Sequence, residues 1–364
     1  MRTIPRNIVV CCDGTGNEVA TDSTNVLRLF RMLVRDDRQV AYYDGGVGTL
    51  VDPAAISTVR KYFSRRLDAA IGLRVRENVI AAYRFLVRTY QPGDRIYLFG
   101  FSRGAYTVRA VAGLINFLGL VRPELENLAT LAWAVYANEA HVYTVTSRFG
   151  GGNRFNVAFG VSPKPTVHFV GVWDTVSSFG WFWNFQTLPY TATNPSIDHI
   201  RHALAIDERR ACFPANLFFP REEQRPNCKQ VWFAGVHADV GGGYPEEEAA
   251  LAKVPLAWML REAQALGLLI NDDERKHLMD SKDKPAADSC GPMHESLAGL
   301  WKPVEYIPRR TWDQTAGRMC WQGPHRGRRR PIAPGCVLHA SVLERRDRLK
   351  YWPGNLPAEY SVEQ

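Results

Sequence analysis

Nowhere in this 364-residue chain do eighteen apolar residues run together, so the sequence offers no candidate membrane-crossing helix. The first ten residues, MRTIPRNIVV, carry too short an apolar run for a secretory leader. The expectation is a protein cytoplasmic as synthesised, any export needing a machine that uses no cleaved signal. Cysteine is sparse: there are seven, an odd number, with no Cys-x-x-Cys and with Cys11 and Cys12 adjacent in an apolar run. That argues against a disulfide framework and for reduced thiols. No His, Cys or carboxylate cluster has ligand spacing, so neither a metal nor another cofactor is expected. Internal repeats, low-complexity tracts and known nucleic-acid motifs are missing as well, and nucleic acid is not an expected partner.

What is present is a chain 46% hydrophobic, long enough to bury a large core, with a formal charge of +8. The excess is local. Between Lys302 and Lys350 twelve Lys or Arg face four acids, Glu305, Asp313, Glu344 and Asp347. An anionic membrane surface is one expected partner of this region: Arg326 and Arg328–Arg330 either meet lipid headgroups or form a solvated face.

Short apolar runs at Asn7–Cys12, Gln39–Tyr43, Arg95–Gly100, Thr166–Trp173 and Gln230–Val236 read as buried strands. Helical patterns lie at Arg76–Tyr90, Arg103–Leu118 and Pro255–Leu266. The alternation implies an α/β fold, a mostly parallel sheet with helices on both faces. The expected organisation is a catalytic domain over residues 1–270, with insertions near 138–165 and 177–200. A C-terminal extension, 271–364, rich in Pro, Gly and Arg and without clear periodicity, packs on the same domain.

The first strand runs into a turn, CCDGTGNE. It is close to the Asp-x-Asp-Gly-Thr loop of aspartyl-phosphate phosphatases, but the attacking position is Cys11. Nor does Gly-Lys-Ser/Thr follow Gly14-x-Gly16, so it is not a P-loop. A better nucleophile lies in DRIYLFGFSRGAYTVRAVAGLI. There Gly100-Phe101-Ser102-Arg103-Gly104 matches Gly-x-Ser-x-Gly with a strand before and a helix after, the context of a nucleophile elbow. The two glycines permit a turn tight enough to lift the hydroxyl clear of the sheet.

A hydrolase serine needs a base and an acid to orient it, in the chain order Ser, Asp or Glu, His. TVHFVGVWDTVSS leaves a strand at Asp174, and QVWFAGVHADVGGGY leaves another at His237. Strand ends gather at one edge of an open α/β sheet, so Ser102, Asp174 and His237 are expected to converge. His168, His199 and His202 are rival bases, and Asp207 and Asp239 rival acids. Asp207, flanked by Arg209 and Arg210, is more simply a helix-end or ion-pair residue, and Asp239 a brace for its loop. For the oxyanion, Arg103 supplies one amide and Gly14 or Thr15 the other; the alternative is that DGTGN is only a strand-to-helix turn capped by Asp13 or Asn17. Trp181, Phe182 and Trp183 line an acyl pocket, form a lid or pack in a core.

Seven segments in order, CCDGTGN, TNVLRL, YYDGGVGT, GDRIYLFGFSRGAYTVRAVAGLI, GVWDTV, ALAIDERRACF and WFAGVHADVGGGY, resemble a family of α/β-hydrolase domains that includes the catalytic domains of type VI secretion phospholipase effectors. The resemblance spans roughly Ile8 to Gly267. It implies an α/β-hydrolase fold, Ser102 as nucleophile, His237 as base, Asp174 as its orienting acid, and hydrolysis of esters, in characterised relatives of glycerophospholipids. Large effectors of this kind carry extra membrane-contacting regions that 364 residues cannot fully contain. The expected function is a lipase or phospholipase working through an acyl-enzyme. A carboxylesterase for small or polymeric esters is the alternative, and a non-catalytic module using the basic C-terminal region a third reading.

Overall fold

The structure, a computed structural model, describes residues 5–14, 23–46, 63–137, 145–176, 180–181, 184–185, 188–281, 283–299, 301–306, 308–313 and 318–364. Alternation within the first strand, β1 (Asn7–Cys12), divides it between two cores. Ile8, Val10 and Cys12 face one side and Val9 and Cys11 the other, all fully buried or nearly so. Such two-sided burial is what a continuous apolar run in a parallel sheet requires.

The elements follow as α1 (Asn25–Met32), β2 (Gln39–Asp44), α2 (Phe63–Thr89), β3 (Arg95–Phe101), α3 (Arg103–Leu118), α4 (Ala129–Ala137), α5 (Val145–Phe159) and β4 (Val167–Trp173). Then come β5 (Gly180–Trp181), β6 (Asn184–Phe185), β7 (Ile197–Ala205), β8 (Cys228–Phe233), α6 (His237–Gly241), α7 (Ala250–Ala265) and α8 (Asp272–Met279). The last are α9 (Trp301–Val304), β9 (Arg309–Asp313), β10 (Arg318–Gln322), β11 (Cys336–His339), α10 (Ala340–Leu349) and β12 (Tyr360–Glu363).

Eight strands form the main sheet in the order β12-β11-β8-β7-β4-β3-β1-β2, and every neighbouring pair is parallel. Residues of α2 and α3 bury one face (Val79, Tyr83, Leu86, Val108, Val111) and residues of α1 and α7 the other (Val26, Leu29, Leu256, Met259). This is an α/β-hydrolase-like fold. A second sheet, β10-β9-β6-β5, is small.

Two features position the site. Because all eight strands are parallel, their carboxyl ends share one edge. After β1 the chain moves outward to β2 and returns on the other side as β3, so the order reverses between β1 and β3. Loops diverge at such a switch point and leave a crevice there.

Two strands of the main sheet, β11 and β12, lie in the C-terminal region, where the sequence shows no periodicity. They are four residues each, and β11 meets β8 through only two residue pairs.

Candidate active site

Ser102 follows β3 directly, with φ 57° and ψ −120°, in the positive-φ region that residues other than glycine rarely occupy. The turn is possible because of its glycines. A Cβ on Gly100 would lie 2.6 Å from the Gly104 carbonyl oxygen, and one on Gly104 would lie 2.0 Å from the Cys12 carbonyl oxygen and 2.6 Å from that of Asp13. The elbow is therefore pressed against the turn after β1. Asp174, directly after β4, also has positive φ (38°). Both strained residues are held by extension of the sheet ladder: the Ser102 amide donates to the Trp173 carbonyl (3.1 Å) and the Asp174 amide to that of Ala203 (2.7 Å).

The edge brings three of the expected residues into one hydrogen-bonded run. His237 Nε2 lies 2.8 Å from Ser102 Oγ, and His237 Nδ1 lies 2.5 Å from Asp174 Oδ2. All three side chains are buried, Asp174 completely. The His237 ring lies against Phe101 (4.6 Å between centroids) and meets Phe213 edge-on (4.9 Å). Trp301 packs on the outer side of Phe213 at 5.5 Å and is partly exposed. Gly241 makes room for Phe101, since a Cβ there would come within 1.9 Å of that ring.

Burial pushes His237 below the ordinary imidazole value, against the pull of Asp174. Burial raises the Asp174 carboxyl, but the charges of Arg330 and His237 outweigh it and hold the group below the usual carboxylate range. Arg330 is the main surprise of the site. Its Nη1 donates to Asp174 Oδ1 (2.6 Å) and its Nη2 to Oδ2 (3.0 Å). This corrects the reading of Arg328–Arg330 as a lipid-facing or solvated run. Arg330 is buried on Asp174 and Arg329 pairs with Asp207 (3.0 Å), while Arg326 and Arg328 remain exposed.

Glu208 was also missed. Buried beneath His237, it accepts from the His237 amide (3.2 Å), Ser296 Oγ (3.0 Å) and the guanidinium of Arg210. Burial opposes its ionisation, yet Arg210 brings it down to about 2. Its signal lies in ALAIDERRACF, where Glu208 stands between Asp207 and the pair Arg209-Arg210. For Arg330 no sequence signal exists, because an Arg-rich run 156 residues from its partner looks solvated.

The rivals have other partners. His202 accepts from the Thr175 amide (3.2 Å) and contacts Gln230. His168 and His199 lie together, their ring centroids 5.4 Å apart, at the other end of their strands. Asp207 accepts from the Gly235 amide, Arg329 and the Tyr351 hydroxyl, and Asp239 from the Val236 amide and His294.

In the turn after β1, buried Asp13 accepts from the Tyr43 hydroxyl (2.9 Å), the Thr24 hydroxyl and the Gly14 amide (2.6 Å). The Gly14 N–H is thus engaged by Asp13 within its own turn. Arg103 is the first residue of α3, directly after Ser102. Thr15, Phe182 and Trp183 lie outside the described residues; Trp181 belongs to β5, with only its backbone described. Among the described residues no group of three or more His, Cys, Asp or Glu could hold a metal ion, and no helix is long and apolar enough to cross a membrane.

The chain is similar to an uncharacterized protein of Saccharomyces cerevisiae, 32% identical over 227 residues, which is 59% of this chain and 33% of that protein. It is also similar to two solved structures. One is an uncharacterized protein from Pseudomonas aeruginosa, 18% identical with a TM-score of 0.41, covering 73% of this chain and 46% of that one. The other is the Tle1 effector bound to the VgrG spike of the type VI secretion system, 19% identical with a TM-score of 0.37, covering 69% of this chain and 53% of that one. This chain thus spans about a third of its curated relative and about half of the two solved chains. The family model described as "T6SS, Phospholipase effector Tle1-like, catalytic domain" matches residues 6–262, most of the chain, and the chain belongs to that family.

Proposed function

We propose that this chain is a serine ester hydrolase that cleaves glycerophospholipids through Ser102, His237 and Asp174. The observation that carries the reading is the run of two short hydrogen bonds from Ser102 Oγ through His237 to Asp174 at the carboxyl edge of the sheet. His237, with Nδ1–H donated to Asp174, offers Nε2 as the acceptor of the Ser102 proton. Ser102 then attacks the ester carbonyl, and the imidazolium returns that proton to the leaving alcohol. Water cleaves the acyl-enzyme by the same route. The Arg103 amide, at the positive end of the sixteen-residue α3, is one oxyanion donor. The second donor is assigned to Thr15 in the turn after β1, which abuts the elbow at Gly104, because the Asp13 and Gly14 amides of that turn already donate to Asp44 and Asp13. The lipid assignment is supported by family membership and by Phe213 and Trp301 beside His237, an aromatic wall suited to an acyl chain. Exposed Arg326 and Arg328 are suited to anionic headgroups.

The test is labelling by a fluorophosphonate, with phospholipid vesicles and short-chain esters compared as substrates. Wild type should label at Ser102 and Ser102→Ala should not, and vesicles should be turned over. Absence of labelling in folded protein would falsify the hydrolase reading. Turnover confined to water-soluble esters would reduce it to a carboxylesterase.

A further inference from the structure

We infer that Arg330, from the region beyond the family-matched residues, is a positioning residue that fixes the Asp174 carboxylate and sets the basicity of His237. The inference rests on the serine-hydrolase reading and deepens it.

The observation is a closed set of bonds. All five N–H groups of Arg330 are used: Nε to the Phe213 carbonyl (2.9 Å), Nη1 to Asp174 Oδ1 (2.6 Å) and the Ala205 carbonyl (3.1 Å), Nη2 to Asp174 Oδ2 (3.0 Å) and the Phe213 carbonyl (2.5 Å). The carboxylate is equally full, with Oδ1 also accepting from the Ala205 amide (3.0 Å) and Oδ2 from His237 Nδ1 (2.5 Å). A planar fork matched to both oxygens leaves Asp174 no freedom to rotate away from His237. The same guanidinium pins the backbone of Phe213, whose ring bears on His237. Two neighbours of the imidazole are thus oriented by one side chain.

The charge matters as well as the fork. Burial lowers His237, while the charge of Asp174 pulls it the other way, toward the imidazolium, which cannot act as a base. Arg330 offsets part of that field without exchanging a proton. The other groups facing this region are Glu208 and Arg210 after β7, Asp239 on the helix of His237, and His202 on β7, buried and neutral. Glu208 is paired with Arg210, and Asp239 with His294. Arg210 also lowers His237 through its charge, and Arg330 is the cation bonded directly to the Asp174 carboxylate.

A purely structural ion pair would affect the folded fraction and leave the pH profile alone. In the full chain, kcat and KM for a p-nitrophenyl ester and the rate of fluorophosphonate labelling are measured from pH 4 to 9 for wild type, Arg330→Gln and Arg330→Lys. Circular dichroism reports folding. Arg330→Gln should lower kcat on the order of 10- to 100-fold, with KM little changed, and move the acid limb upward by about one pH unit. Arg330→Lys retains charge but not the fork, so its limb should stay in place while kcat falls roughly tenfold. An unmoved limb in folded Arg330→Gln, or a kcat within about twofold of wild type, overturns the inference. If Arg330→Gln does not fold, Arg330→Lys decides: a kcat reduced after normalisation to the folded fraction supports it, and an unchanged normalised kcat overturns it. Failure of wild type to label overturns the hydrolase reading instead.

Discussion

At Gly104 two preferences pull in opposite directions. Alanine gains about 1 kcal/mol over glycine inside a helix, yet its Cβ would stand 2.0 Å from the Cys12 carbonyl oxygen, a backbone atom with nowhere to go. Forcing such a contact costs about 1–3 kcal/mol, so Gly104→Ala should be destabilising on balance and should displace the turn after β1 from the elbow. Urea unfolding should show the loss, and ester turnover should fall with it. Gly93→Ala is the control: nothing lies within 4 Å of its Cβ, although φ is +99°. It should cost stability through strain alone and leave turnover unchanged. For His237 the sign follows from its lowered pKa: protonation removes the base, so kcat/KM should fall only as pH drops below about 6.5. An acid limb above 7 would contradict the burial that lowers it. Ser102, Gly104 and His237 are legible in the sequence because a tight turn and a strand end constrain residue type locally. Arg330 is not, because its role is defined only by what the fold places opposite it.

Strands with apolar residues on both faces, β1, β3 and β4, and the helix after the elbow can be read within a residue or so of their observed ends. The strand β7 cannot. Its sequence, IDHIRHALA, is polar in its first half, yet Arg201 and His202 are buried there against Glu262, Gln230 and the Thr175 amide. These partners arrive from other elements, so composition alone misleads. Burial, then the charge of Arg109, pushes His202 down to about 3. A histidine lowered in the folded state is protonated first in the unfolded one. Stability is therefore complete above about pH 6.5 and is lost as pH falls toward about 3. Between pH 7 and pH 4.5 that contribution should decline by about 2–3 kcal/mol. Asp174 and Glu208, held low by their arginines, keep their contributions through the same window. Urea midpoints at the two pH values should separate further in wild type than in His202→Gln; equal separations would show that His202 is not the group responsible.

Across the whole molecule, convergence of the strand ends is foreseeable from strand-helix alternation, but completion of the sheet is not, since β11 and β12 are too short to show a period. Leu204, Ile206, Trp232 and Ala234 share one small core with Ile332, Leu338 and Val342 of the C-terminal region. A buried aliphatic side chain contributes about 1.5–3 kcal/mol, so removing those three forfeits roughly 5–9 kcal/mol. That is comparable with the whole stability of an ordinary domain, about 5–15 kcal/mol. Arg330 would leave with them, stranding the buried Asp174 carboxylate, and breaking one side of such a pair costs a further 3–5 kcal/mol or so. A chain cut after residue 270 retains every residue that the family matches, the serine, the aspartate and the histidine included. It should nonetheless show no cooperative urea transition and no fluorophosphonate labelling. A cut before β12 removes only residues that are half-buried or exposed, and should spare both. If the shorter chain unfolds cooperatively and labels at the wild-type rate, the catalytic unit ends near residue 270, and both the sheet extension and Arg330 are dispensable to it.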